Sequence, residues 1–442
     1  MRCDCDHHPG GSVHGRLVIP GRGQPIADAA VVIQSDRFIY VGKQQEIPYT
    51  LRVGIRQMFV NVLMPGMWDC HTHFTGVSQV TFSGIIATHP AVCGANNARS
   101  FYDTLMAGFT SVRDCGSYAL ESAEAINEGL ILGPNIYGAG AAIGQTGGNC
   151  DALDLPADWV YGRQGVSQTV PFPGVIPLAI ADGANECRRA VRLQTRRGAS
   201  CIKIIATGGV MSDGDNPKYR QFCDEELRAL VEEASLSGRL VAAHAHGKPG
   251  IIAALKAGCG TIEHGTFIDG DCVKLMKEKG AILVPTRLVI ENGLKNLSKL
   301  RPATRVKMQL VDQAHREAYQ LAVRSGVKIA LGTDLTSSDP SHFNAHGKNG
   351  QEVVLAVTCG GMSPLAAIEA ATANGPETLG LQAPRSGQIA VGFVADMLGL
   401  DEDPVKDIHL LADPGKIRYI WKLGRLVKAP GMPSFPAFCH PV

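Results

Sequence analysis

Short apolar runs of strand length alternate with stretches of helical periodicity along most of this chain. The runs lie at 61–64, 109–115, 135–142, 201–207, 240–246, 261–266, 281–287 and 328–334. Helical connectors read at 97–107, 185–197, 225–237, 249–257, 271–279 and 304–325. Eight such runs joined by helices predict an α/β fold, a (β/α)8 TIM barrel. A doubly wound open sheet is the competing architecture, but no Gly-x-Gly-x-x-Gly turn follows the first run.

Both ends of the chain read differently. Residues 15–64 carry short strands punctuated by Gly, Pro and Asp, and a similar pattern returns from Gly387 to Lys422. The two ends together predict a composite β-sandwich domain formed from both chain termini. The expected divisions are 1–63, a barrel over 64–384, and 385–442. A chain of 442 residues accommodates this, since such barrels take roughly 250. The Gly- and Pro-rich segment 144–177 lacks periodicity and is expected to cover the barrel mouth.

The 42 basic and 41 acidic side chains nearly balance, so nothing points to nucleic acid or an anionic membrane as partner. No apolar run approaches the roughly 20 residues a membrane span needs. The 13 cysteines are odd in number and scattered through apolar segments. That suits packed thiols in a cytoplasmic protein, with secretion after loss of a leader left open. Cys3, Cys5, His7 and His8 read as a frayed tail rather than a metal site.

Lys203 stands inside the apolar run Cys201-Ile202-Lys203-Ile204-Ile205-Ala206. Burying an ammonium there is costly, so the side chain must be neutralised, paired or chemically converted. His71 and His73 follow the first run, while His244, His264 and Asp334 lie near the ends of later ones. In barrels of this type the C-terminal strand ends build the active site. Alternate residues of an extended chain point the same way, so His71 and His73 can reach one ion. His244 and His264, from neighbouring strands, can hold a second. Lys203, carbamylated by CO2, would bridge the pair, and two such ions make water a nucleophile near neutral pH.

Each of these residues taken alone is more often a packed core residue; their joint placement at strand ends argues for metal. A Schiff-base role for Lys203 would leave the histidines unexplained. His246 reads as a substrate contact, with third-ligand and structural roles also open. Asp69 and Asp114 read either as acceptors behind the ligand imidazoles or as turn residues. Cys70 reads as packing, His89 as a loop residue, and His315, His409 and His440 as surface residues. Candidate carboxylate contacts are His246, Lys218, Tyr219, Arg220, Lys248 and Arg287, with Arg287 foremost because it ends an apolar run.

Several stretches carry a family resemblance. They are Met64-Pro65-Gly66-Met67-Trp68-Asp69-Cys70-His71-Thr72-His73-Phe74, Ile202 to Ser212, Ala243-His244-Ala245-His246-Gly247-Lys248, Glu263-His264, Leu331-Gly332-Thr333-Asp334 and Ala371-Thr372-Ala373-Asn374. Together they resemble the metal-dependent amidohydrolase superfamily, nearest its ochratoxinase-like and prolidase-like carboxypeptidase branch, over about residues 16–428. The loop 335–350, with His342 and His346, is more similar to the wider prolidase and imidazolonepropionase-like branch.

The resemblance implies two divalent ions, zinc by habit of the family. His71 and His73 would hold one, His244 and His264 the other, with carbamylated Lys203 and Asp334 completing the set. Catalytic roles would fall to Asp334, His246 and Lys203, with Asp334 moving a proton from the attacking water to the leaving amine. His246, Arg287 and Tyr219 would contact substrate. The implied reaction releases a C-terminal amino acid from an amide or dipeptide, or phenylalanine from ochratoxin A to leave ochratoxin alpha. A homo-oligomer, up to an octamer, is implied as well. The main alternative is a mononuclear imidazolonepropionase-like cyclic amidohydrolase or deaminase. Such enzymes usually lack the strand lysine and place a glutamate soon after the fifth-strand histidine, where Gly247, Lys248 and Pro249 stand here. A barrel that lost its chemistry fits poorly with six retained ligand types.

Overall fold

The computed structural model describes residues 11–52, 55–78, 81–156, 178–212 and 214–432. Four strands open it: β1 (Gly11–Val18), β2 (Ile26–Gln34), β3 (Arg37–Lys43) and β4 (Arg56–Pro65). The barrel strands follow as β5 (Met67–Thr72), β6 (Phe109–Asp114), β7 (Asn135–Gly138), β8 (Ala142–Gly144), β9 (Leu178–Ile180), β10 (Ile202–Ile205), β11 (Val241–Ala245), β12 (Thr261–His264) and β13 (Ile282–Val284). β14 (Met397–Leu400), β15 (Ile417–Lys422) and β16 (Arg425–Lys428) close the chain.

The two termini build one seven-stranded sheet in the order β16-β15-β14-β4-β1-β2-β3. Its inner face packs Val13, Val31, Phe38, Leu63, Met397 and Trp421 into a core of its own. The run at 61–64, expected to be the first barrel strand, belongs instead to β4 and pairs with β14 and β1. The chain then turns through Gly66, and β5 enters the barrel. A single continuous apolar stretch therefore serves two sheets, which periodicity alone does not divide.

The barrel wall is parallel throughout. β5, β6 and β7 pair in order, and β8, β10, β11, β12 and β13 form the facing arc with β9 at its edge. Bridges from Leu283 to Ile329 and from Thr72 to Leu335 carry segment 329–335 into the ring between β13 and β5. The run at 135–142 thus splits into β7 and β8, and Gly140 turns between them with φ +77°. β13 is shorter than expected and ends at Val284.

Helices pack outside this ring with conventional end signals. Asp269 caps the helix Gly270–Lys279 by accepting from the amides of Asp271 and Cys272, and Gly280 ends it in the left-handed region. No helix among the described residues is long and apolar enough to cross a membrane. The described cysteines are unpaired thiols, and all but Cys223 are buried.

Candidate metal centre and its cavity

Polar side chains inside an apolar barrel must find partners, and here they do so in two layers. The lower layer centres on Arg113 and Glu263, both fully buried. Arg113 Nη2 donates to both Glu263 oxygens at 2.7 Å, and its Nε donates to the Cys70 carbonyl at 2.6 Å. Thr261 also donates to Glu263. Breaking such a pair by removing one member costs about 3–5 kcal/mol. Neither residue was singled out from the sequence. The signal was available, for each is an ionisable group within an apolar strand, as Lys203 is.

The upper layer is the predicted ligand set. Glu263 Oε2 accepts from His71 Nδ1 at 2.7 Å, and the Gly116 carbonyl accepts from His73 Nδ1 at 2.9 Å. Carbonyls and carboxylates only accept, so both imidazoles carry the proton on Nδ1 and turn a bare Nε2 inward. There Asp334 Oδ1 lies 3.2 Å from His73 Nε2 and 3.6 Å from His71 Nε2. Lys203 Nζ lies 3.2 Å from the same His71 nitrogen. On the other side His244 Nδ1 and His264 Nε2 are 2.8 Å apart, with His264 Nδ1 against the Thr286 hydroxyl at 2.7 Å. His244 Nε2 faces the Gly208 carbonyl at 3.3 Å.

This donor set fits cations. Asp334 Oδ1 faces Nε2 of both His71 and His73, an approach of acceptors that calls for a proton or a cation between them. Imidazole nitrogens with a carboxylate suit zinc and its neighbours. Three overlapping clusters have ligand atoms close enough to share an ion: His71, His264 and Asp334; His244, His246 and His264; and His71, Cys115 and Glu263.

Burial shapes the titration of these groups. It drives His71 down to about 4, assisted by Lys203, and His244 down to about 3; His264 and His246 also lie well below the usual imidazole range. All four therefore present neutral ligands near pH 7. His73 is the exception, because hydrogen bonding and charge from Asp334 outweigh burial and raise it. For Asp334, burial alone would raise the carboxyl, but the facing His71, His73 and Lys203 overcome it and hold it down to about 2.

The backbone at these strand ends is strained. His264 has φ +68° and Asp334 φ +61°, left-handed values uncommon for residues with a Cβ. Gly332 lets the neighbouring chain approach His71, since a Cβ there would lie 2.6 Å from that of His71.

Above the ligands opens a cavity of about 520 Å³. All six predicted ligands and His246 line it. His246 Nδ1 is engaged with Thr266 Oγ1 at 2.7 Å, which leaves Nε2 as its remaining polar atom. Asn149 and Cys150, from the long segment after β8, form part of the wall; residues 157–177 of that segment lie outside the described residues, as do Cys3, Cys5, His7, His8 and His440. His342 lines the rim, while buried His346 stacks on Phe74 behind His73.

Several expected contacts fall elsewhere. Arg287 does not end a strand. It opens the helix Arg287–Lys295, is fully buried, and bonds to Glu291, Asp312 and the Asp312 carbonyl away from the cavity. Arg287→Ala should therefore cost about 1–3 kcal/mol of stability, seen as a lowered Tm. The preference for free-carboxylate over amide-capped substrates should stay unchanged; a shifted preference would return Arg287 to the site. Tyr219 is 69% exposed and outside the lining. Lys248 pairs with Asp269 and Asp271, Arg220 with Asp224, and Lys218 lies over the Phe267 ring. Lys248 already opens the helix Lys248–Ala257, so the strand register of His244 no longer fixes where it points.

Asp69 and Asp114 accept from backbone amides and from hydroxyl and amide side chains rather than from imidazoles. Asp69 accepts from Thr333, Asn349 and the His71 amide, and Asp114 from the amides of Phe74 and Gly116 and the Ser117 hydroxyl. His315, expected at the surface, is buried and bonds the Pro285 carbonyl at 2.7 Å, beside the Thr286 that braces His264. His89 caps the helix Pro90–Met106. His409 is exposed and Cys70 packed, as expected.

Known proteins resemble this chain in sequence and fold. The amidohydrolase family model matches residues 62–427. The sequence is 46% identical to ochratoxinase of Aspergillus niger over 425 residues, 95% of this chain and 87% of that protein. The crystal structure of A. niger ochratoxinase superposes with a TM-score of 0.89 at 45% identity, covering 97% of this chain and 98% of that one. A Xaa-Pro dipeptidase with methionine bound in its active site superposes at TM-score 0.82 and 30% identity, over 95% of this chain and 100% of the other. With its histidines gathered at the strand ends of one barrel and its sequence matched over nearly its whole length, the chain belongs to the amidohydrolase family and is a hydrolase of amide bonds.

Proposed function

We propose that this protein is a binuclear-metal amidohydrolase that releases a C-terminal amino acid from a small amide, with ochratoxin A among the candidate substrates. The observation carrying the reading is that Asp334 Oδ1 faces Nε2 of both His71 and His73, with buried Lys203 Nζ 3.2 Å from the same His71 nitrogen. His71 and His73 would hold one ion and His244 and His264 the other, with Lys203 between them as a carbamate. Addition of CO2 to the lysine amine forms a C–N bond and releases one proton, leaving the anion two cations need.

Bound there, the ions supply Lewis acidity toward the amide carbonyl and lower the pKa of water. The chain's own residues do the rest. Glu263, backed by Arg113, keeps His71 in one tautomer; Gly116 does the same for His73. Asp334, held ionised, accepts the proton of the attacking water and returns it to the departing amine. His246 contacts the substrate from the wall. Apolar side chains, among them Val210, Val289, Ile290 and Met308, receive the bulky part of the molecule. Likeness to ochratoxinase and to a Xaa-Pro dipeptidase supports an amide with a carboxylate on its amine side.

The deciding assay presents zinc-loaded protein with a panel of N-acyl amino acids and ochratoxin A and identifies the released amine. Turnover with loss of a free amino acid supports the reading; turnover only of cyclic amides would replace it. Chelation should abolish activity, and readdition of zinc should restore it. Metal analysis of the active form should give about two ions per chain; one ion at full activity would exclude the paired centre.

A further inference from the structure

Lys307 lies on the helix Pro302–Arg324, whose Thr304 and Met308 face the cavity, yet its own side chain is only 12% exposed. The ammonium is turned into the loop that follows β10. Nζ donates to the carbonyls of Gly209 at 2.7 Å and Ser212 at 2.6 Å and to Asp215 Oδ1 at 2.9 Å, with the Asp215 carbonyl at 3.3 Å. Asp215, 4% exposed, accepts in turn from the Gly209 amide at 2.7 Å and the Ser212 hydroxyl at 2.5 Å. An ammonium has three N–H donors, and here all are committed to one loop whose own carboxylate neutralises the charge.

That loop is a wall of the cavity. Gly209, Val210, Met211 and Ser212 all line it, and Val210 packs in an apolar cluster with Val289, Ile290, Leu300 and Met308. Gly208 is anchored separately: its amide donates to the Tyr219 carbonyl at 3.1 Å, and Thr207 bridges Arg220. The carbonyl that faces His244 shares a peptide plane with the Gly209 amide, which Asp215 holds directly, so its support does not pass through Lys307.

We infer that Lys307 is a positioning residue whose clasp on Asp215 and the Gly209 and Ser212 carbonyls fixes the apolar wall, and thereby sets selectivity for substrates with a bulky apolar group. The inference rests on the amidase reading above. In metal-replete, full-length enzyme, Lys307→Met should raise KM for N-benzoylphenylalanine about tenfold or more. Turnover of N-acetylalanine should fall far less, and metal content should hold. Lys307→Arg should restore part of the difference. Because the single change leaves Asp215 charged and buried, Lys307→Met/Asp215→Asn is measured beside it and should show the same split. Amide hydrogen exchange across 208–215 should accelerate in both methionine variants while the barrel strands keep their protection. Equal losses on both substrates, or unchanged KM with unchanged exchange, would overturn the inference. If wild-type enzyme cleaves neither compound, the amidase reading fails by itself. Exchange then decides the clasp: faster exchange upholds it, and unaltered protection ends it.

Discussion

Asp334→Asn is expected to lower kcat by about 10²–10⁴-fold while most of the metal remains bound. The carboxylate stands at a strand end in a left-handed conformation, 3.2 Å from His73 and 3.6 Å from His71. Asparagine preserves the shape and one carbonyl oxygen, so the ion environment persists. It cannot take a proton from water or hand one to an amine, so the chemical step loses its shuttle. Against burial, the facing His71 and His73 hold the Asp334 carboxyl below the usual carboxylate range, so its loss is a loss of base rather than of charge alone. Steady-state kinetics with metal analysis on the same sample check this. A mild fall in kcat at full metal content would move proton transfer to another residue.

Lys203→Ala should be comparably severe, about 10²–10³-fold or more, the scale on which a single preorganised electrostatic group acts. Lys203 is 2% exposed, and among the described residues no carboxylate lies within ion-pair distance of its Nζ. His71 Nε2 lies 3.2 Å from that Nζ. The Lys203 carbamate would be the anion that four imidazoles and one aspartate do not fully supply to two cations. The alanine variant opens room behind His71, and a short carboxylate such as propionate should enter and recover part of the activity and of the bound metal. Turnover that survives the substitution undiminished would remove the carbamate from the mechanism.

How these residues could be recognised differs from case to case. His71, His73, His244, His264 and Asp334 each stand at or just past the end of an apolar run, and Lys203 stands inside one. Local sequence records these placements, and the tertiary structure gathers the residues into one cavity. Arg287 carried the same outward sign and misled, because the strand stops at Val284 and the chain has begun a helix by Arg287. Element boundaries depend on which neighbour pairs with the backbone, and no local pattern states that. His315 failed for a related reason: on an amphipathic helix, its burial depends on what packs against that face.

What the sequence by itself determined is the periodic alternation that demands a barrel and the ionisable residues that an apolar strand cannot hold without partners. Burial costs are steep and local, so such residues announce themselves. Only the tertiary structure decided which partners answer them. The Arg113–Glu263 pair beneath His71 joins residues 150 positions apart, and the Lys307–Asp215 clasp joins residues 92 apart. Hydrogen-bond directions and the facing of lone pairs are fixed only when strands distant in the chain close into one ring, so the chemistry of this centre belongs to that closure.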